Sequence, residues 1–169
     1  MNHSMIKSFS PEDQEFMELA LEEAREAASL GDVPIGSVIV HKGDIVVRSH
    51  NLREALQDPT AHAEILALRE AARKLDRWRL TGTTMYVTME PCAMCAGALV
   101  LARIDRLVYG CWDPKAGACG SVFEIVRDPR MNHRMEVHAG LLEEECRSVL
   151  QEFFTNRRNT DREASPVKK

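Results

Sequence analysis

No run of apolar residues in this sequence is long enough to cross a bilayer. The longest near-continuous one, Cys92 to Ala102, falls short of the ~20 residues that a spanning helix needs. The opening MNHSMIKSFS carries no apolar segment of the secretory kind, so neither export nor membrane insertion is expected, and the expected location is cytoplasmic. Cysteine is scarce and odd in number: five without an export signal argue for reduced thiols and against a disulfide framework. Positive charge is also in deficit. Twenty-two Lys and Arg against 26 Asp and Glu leave a net charge of −4, which argues against a broad nucleic-acid-coating surface, and no DNA partner is expected. Internal repeats, low-complexity linkers and composition breaks are absent until the end of the chain. The 169 residues therefore read as one domain, 1–157, followed by a basic, flexible tail, 158–169. From Arg157 the chain runs RRNTDREASPVKK, with five basic and two acidic residues, suited to a solvated tail or to contact with a polyanion.

What is present is a globular pattern. Ser10-Pro11-Glu12-Asp13 is a helix start, with a capping serine, a proline at the first helical position and acids at the positive helix end. Phe16, Leu19, Ala20, Ala24 and Ala27 then recur at helical spacing until Gly31. IGSVIVHKGDIVVRSHN reads as a hairpin about Gly43-Asp44. After Asp58-Pro59 a helix is predicted to about Lys74, burying Ile65, Leu68 and Ala72, and TTMYVTM reads as a strand. Cys92 to Leu101, apolar nearly all round, reads as a buried helix. IDRLVYG and MEVHA follow as strands with a helix between them, and Leu142, Cys146, Val149, Leu150 and Phe153 share one face of a last helix. Alternation of strands and helices after the hairpin implies parallel connections. The expected fold class is α/β, a three-layer α/β/α sandwich on a five-stranded mixed sheet.

Two short motifs carry chemistry. In Pro91-Cys92-Ala93-Met94-Cys95 a proline precedes two cysteines on the first turn of a helix, three apart and hence on one face. The positive helix end lowers a thiol pKa and favours the ligating thiolate. Alone, Cys-x-x-C is equally a metal pair, a redox pair or a coincidence. The second motif, His62-Ala63-Glu64, falls just after Asp58-Pro59, where a helix begins. With Asp58 or Thr60 as cap, both side chains can lean past the helix end towards one metal. The chain has no second Cys-x-x-C to close a structural zinc site, and His62 is the natural third ligand. Three protein ligands with one open position is the catalytic pattern for zinc, and the open position holds a water of lowered pKa. A second carboxylate ligand would fill that position, so Glu64 suits the role of proton carrier. Cys111, Cys119 and Cys146 read as small buried hydrophobes.

His-x-Glu followed by Pro-Cys-x-x-Cys is the signature of the zinc nucleobase deaminases. The chain resembles the cytidine-deaminase superfamily and, within it, the bacterial tRNA-specific adenosine deaminases. VPIGSVIV, DPTAHAEILALREA, YVTMEPCAMCAGAL, RIDRLVYG, DPKAGACGS, MNHR and FFTNRR carry the resemblance, over about Glu12 to Arg158. It implies one zinc per subunit on His62, Cys92 and Cys95, with Glu64 as proton shuttle in the deamination of adenosine to inosine at the anticodon wobble position. The tRNA-Arg anticodon stem-loop is the expected partner, and the expected assembly is a homodimer. It also implies that Asn51 and the Ala63 amide face the nucleoside. Asp113, Lys115, Asn132, His133, Arg134, Phe154 and Arg158 would meet the RNA loop. Asn51 equally suits the end of a hairpin, Asp113-Pro114 a turn, and Phe153 the core. Ala116 stands where the family often has threonine or glycine, and Leu52-Arg53 where many members have Arg-Pro. A small-molecule deaminase of the same fold, acting on guanine, cytosine or a nucleotide, would share the zinc motif. An inactive zinc-stabilised binding module would share it too, but would have little use for Glu64.

Overall fold

The computed structural model describes residues 9–164. Its elements run α1 (Pro11–Ser29), β1 (Gly36–His41), β2 (Asp44–His50), α2 (Arg53–Leu56), α3 (Ala63–Lys74), β3 (Thr83–Met89), α4 (Ala93–Ala102), β4 (Arg106–Cys111), β5 (Glu136–Ala139) and α5 (Glu143–Ala164). The five strands form one sheet in the order β2-β1-β3-β4-β5. β1 lies antiparallel to both β2 and β3, whereas β3, β4 and β5 are parallel. The sheet is therefore mixed, as expected.

Alternation along the strands divides the core in two. Val38, Val40, Tyr86 and Val108 face Met17, Ala20 and Leu21 of α1 and Cys146 and Leu150 of α5. Ile39, Met85, Val87, Leu107 and Tyr109 face Ala67, Leu68 and Ala71 of α3 and Ala96, Leu99 and Val100 of α4. Two helices thus cover each face, giving the three layers. The contact of α1 with β1 is so close that a Cβ on Gly36 would lie 2.0 Å from the Ala20 carbonyl oxygen.

Ser10 caps α1 as expected. Its hydroxyl accepts from the Asp13 amide at 3.0 Å, and the Asp13 carboxylate accepts from the Ser10 amide at 3.1 Å. The buried face, however, is centred on Met17 and Leu21, and Phe16 and Leu19 pack at its margin. Asp13 turns inward, taking hydrogen bonds from the Tyr86 hydroxyl at 2.7 Å and from the Arg106 guanidinium at 2.7 and 3.0 Å. That network ties α1 to β3 and β4, which displaces the face from the one periodicity alone suggests.

Four further expectations are corrected. The helix after Asp58-Pro59 starts only at Ala63, because Asp58 closes a turn on the Thr60 amide and hydroxyl instead of capping; Ala67, Leu68 and Ala71 are its buried apolar side chains beyond the first turn. The helix placed between the last two strands is absent: 112–135 is a succession of turns. The helix of Cys92 to Leu101 is not buried all round, since Met94 and Leu101 of α4 are exposed. Finally, α5 continues to Ala164, so residues 158–164 of the expected tail are helical, and 165–169 lie outside the described residues. No helix among the described residues is long and apolar enough to cross a membrane.

Candidate active site

Two helix starts meet at one end of the sheet. His62 is the N-cap residue of α3 and Cys92 that of α4, each with extended backbone, and neither side chain caps its own helix. The position usually given to serine or aspartate instead projects a ligand forward, away from the helix axis. This explains how a histidine and a glutamate two apart share a site, because His62 precedes the helix whose first turn contains Glu64. Cys95, one turn into α4, is buried, and its sulfur lies 3.5 Å from His62 Nδ1; the Cys92 sulfur lies 3.8 Å from the same atom. The three ligand atoms are within 4.8 Å of one another. Tetrahedral zinc with bonds of ~2.0 and ~2.3 Å would set nitrogen and sulfur roughly 3.5 Å apart, so the donor set fits the ion.

The electrostatics agree. The hydrogen bond from the Cys95 thiol, and then His62, draw the Cys92 thiol down to about 3, while that same bond and burial push Cys95 far up. The hydrogen bond with Cys92, above all, raises the His62 pKa. Glu64 is 3% exposed, and its Oε2 has no hydrogen-bond partner. Burial raises its pKa above the usual carboxylate range.

Ala63 is held through both of its backbone polar groups. Its N–H donates to Asn51 Oδ1 at 2.9 Å, and its carbonyl accepts from the Ser37 hydroxyl at 3.1 Å. The two groups expected to face a nucleoside are therefore bonded to each other, and Asn51 serves α3 as a cap from a neighbouring segment. Asn51 also lines the cleft that opens on His62.

That cleft encloses about 1230 Å³ and includes Val33, Ile35, Met89, the run Trp112 to Lys115, and Phe154. Arg53, Lys115, Arg147, Arg157 and Arg158 bring five cations to it, against the carboxylates of Asp113 and Asp161. The structure thus gathers Asn51, Asp113, Lys115, Phe154 and Arg158 with His62. Asp113 also closes a turn, accepting from the Lys115 and Ala116 amides. Phe153 is half-buried and Phe154 is 43% exposed, their rings edge to face. Asn132, His133 and Arg134 do not line this cleft, and the His133 ring donates to the Ile104 carbonyl at 2.6 Å.

Sequence reasoning missed Glu90, Arg53 and Trp112. The acid directly before Pro91-Cys92 was a signal that spacing could not interpret, because all its partners come from a distant loop.

Residues 11–158 match the model of the MafB19-like deaminase family. The chain is 47% identical over 153 residues to the tRNA-specific adenosine deaminase of Bacillus subtilis (strain 168), covering 90% of this chain and 95% of that protein. The chain belongs to the family of tRNA-specific adenosine deaminases. It is also 48% identical over 147 residues to the member from Haemophilus influenzae, covering 86% of this chain and 85% of that one. Among solved structures, one from a study of A-to-I editing by tRNA:A34 deaminases at the wobble position is 48% identical with a TM-score of 0.78. The match covers 80% of this chain and 99% of the other. These relatives support a deaminase of the hydrolase type, and the site has the donors that such chemistry uses.

Proposed function

We propose that the protein hydrolytically deaminates adenosine to inosine at the wobble position of a tRNA anticodon, tRNA-Arg being the expected substrate. One juxtaposition carries this reading. A histidine and two cysteines lie beside a buried carboxylate with one unpartnered oxygen, at one end of a cation-lined cleft. The cleft exceeds the ~300–1,000 Å³ of ordinary small-molecule pockets, which favours an RNA loop over a free base.

His62, Cys92 and Cys95 would hold the zinc ion, one per subunit. When bound, zinc supplies a water acidic enough to attack at neutral pH. Glu64, with one oxygen left unpartnered, takes the proton of the attacking water and gives it to N1 of the adenine as C6 becomes tetrahedral. It then takes the proton of the new C6 hydroxyl and delivers it to the departing amino group, which leaves as ammonia as the C6–N bond breaks and the C6 carbonyl forms. Asn51 fixes the start of α3 and faces the nucleoside. Phe154 offers a ring for a splayed base, and Lys115, Arg157 and Arg158 meet the loop phosphates. Asn132, His133 and Arg134 contact RNA outside this cleft. The exposed Met94 and Leu101 of α4 support a homodimer, and the protein acts in the cytoplasm with its substrate.

Purified protein is incubated with a tRNA-Arg anticodon stem-loop and, separately, with free adenosine, cytosine and guanine. Inosine in the RNA is expected. Turnover of a free base alone would overturn the reading in favour of a small-molecule deaminase, and zinc binding without any turnover in favour of a binding module.

A further inference from the structure

Glu90 stands between β3 and α4, and its side chain is as buried as that of Glu64. Its oxygens are saturated by one loop, 23 to 31 residues further along the chain. Oε1 accepts from the amides of Cys119 and Ser121, both at 3.0 Å; Oε2 accepts from the Asp113 amide at 2.9 Å and from the Ser121 hydroxyl. The main chain stitches the same loop to the ligand segment. The Ala118 amide donates to the Pro91 carbonyl at 2.9 Å, and Cys92 pairs with Gly117 as an isolated antiparallel bridge. The space is shaped to the carboxylate, since a Cβ on Gly117 would lie 2.3 Å from Glu90 Oε2 and 2.5 Å from the Asp113 carbonyl oxygen. At its near end the loop bears Trp112, Asp113, Pro114 and Lys115, four consecutive residues of the cleft wall.

Building on the deaminase reading above, we propose that Glu90 is a positioning residue that sets this substrate-side wall relative to Cys92. Oε1 fixes the far end of the loop, and Oε2 fixes Asp113, the residue from which the wall is presented. Glu90 touches neither substrate nor zinc. It acts through Asp113 and its neighbours, so its effect falls on how substrate is held.

Glu90→Gln separates the two anchors. The amide carbonyl retains the Cys119 and Ser121 donors at the Oε1 position. The NH2 group then faces the Asp113 N–H, donor against donor, and frees the wall while the far end stays tied. The test uses full-length, zinc-loaded protein in a Trp78→Phe background, which leaves Trp112 as the remaining tryptophan of two. Trp112 packs edge to face on Tyr109 with ring centres 5.2 Å apart, so its emission reports the position of the wall without any substrate.

For Glu90→Gln the expected result is a red shift of Trp112 emission with unchanged zinc content. KM for the anticodon stem-loop rises about tenfold and kcat stays within about threefold, as for one lost hydrogen bond to a charged group. Gly117→Ala keeps Glu90 but crowds both its carboxylate and the Asp113 carbonyl, and is expected to give the same pair of changes. Unmoved emission in both variants would overturn the proposal. So would kcat and zinc content falling together at constant KM, because Glu90 would then be supporting only the metal. If the parent protein fails to turn over the stem-loop, the functional reading fails separately, and the emission of Trp112 still decides whether Glu90 holds the wall.

Discussion

Glu64 lies two residues after His62 and Glu90 two residues before Cys92, and both are 3% exposed. Glu90 accepts three amides and a hydroxyl, whereas Glu64 leaves one oxygen without a partner. Equal burial therefore yields opposite chemistry. A buried carboxylate surrounded by donors is fixed in place, and its neighbours are fixed with it. One denied donors binds its proton more tightly and is left able to pass it on. Folding tolerates the cost of the second kind, about 1–3 kcal/mol for a buried unsatisfied polar group, where a site has use for it.

The sharpest way to break this contrast is Glu64→Gln, which keeps the shape and removes the titrating group. Single-turnover kinetics are expected to slow by about 10²–10⁴-fold, the usual worth of a positioned acid–base group, with zinc content unchanged by metal analysis. Retained activity would place the proton transfer elsewhere.

Asp13 is a second saturated carboxylate, remote from the site, and it tests whether saturation itself stabilises. Hydrogen bonds from Arg106, above all, hold its carboxyl well below the usual range. The folded state therefore binds this proton more weakly than the unfolded chain does. The stabilisation is complete above about pH 4 and is lost as the pH falls below it. Asp13→Asn is expected to cost about 2 kcal/mol at neutral pH in urea unfolding and to flatten that acid dependence. An unchanged acid limb would detach the network from stability.

If proton transfer is confined to Glu64, a cleft residue should move binding alone. Phe154→Ala is expected to raise KM for the stem-loop about tenfold, as for one lost base stack, with kcat and thermal stability little changed. The smallest effect is expected from the exposed Glu70–Arg73 pair, a satisfied carboxylate in water. Arg73→Ala should leave the thermal midpoint within error of the parent, whereas a clear drop would show that saturation matters without burial.

The three residues that could hold a metal were legible as a group because each rests on a local signal. Pro91 and the three-residue spacing of Cys92 and Cys95 mark a helix start, as Asp58-Pro59 does before His62. The five strands were legible for the same reason, since β-rich alternation and turn residues lie next to one another in the chain. The face of α1 was not, because the Asp13 contacts with Tyr86 and Arg106 span 73 and 93 residues of chain. Nor was the extra helix before β5 correctly expected, since in that stretch Glu90 and Pro91 supply the loop with partners that helical hydrogen bonds would otherwise provide.

By itself, then, the sequence determined which atoms could bind a metal and that they sit at helix starts, because spacing and capping act over a few residues. Only the tertiary structure decided that the two starts meet, that Asn51 closes on Ala63, and that five cations line one cleft in a net-negative chain. It also decided which of two equally buried glutamates keeps an oxygen without a partner. Donor supply and desolvation depend on what the rest of the chain brings alongside, and no local pattern encodes that.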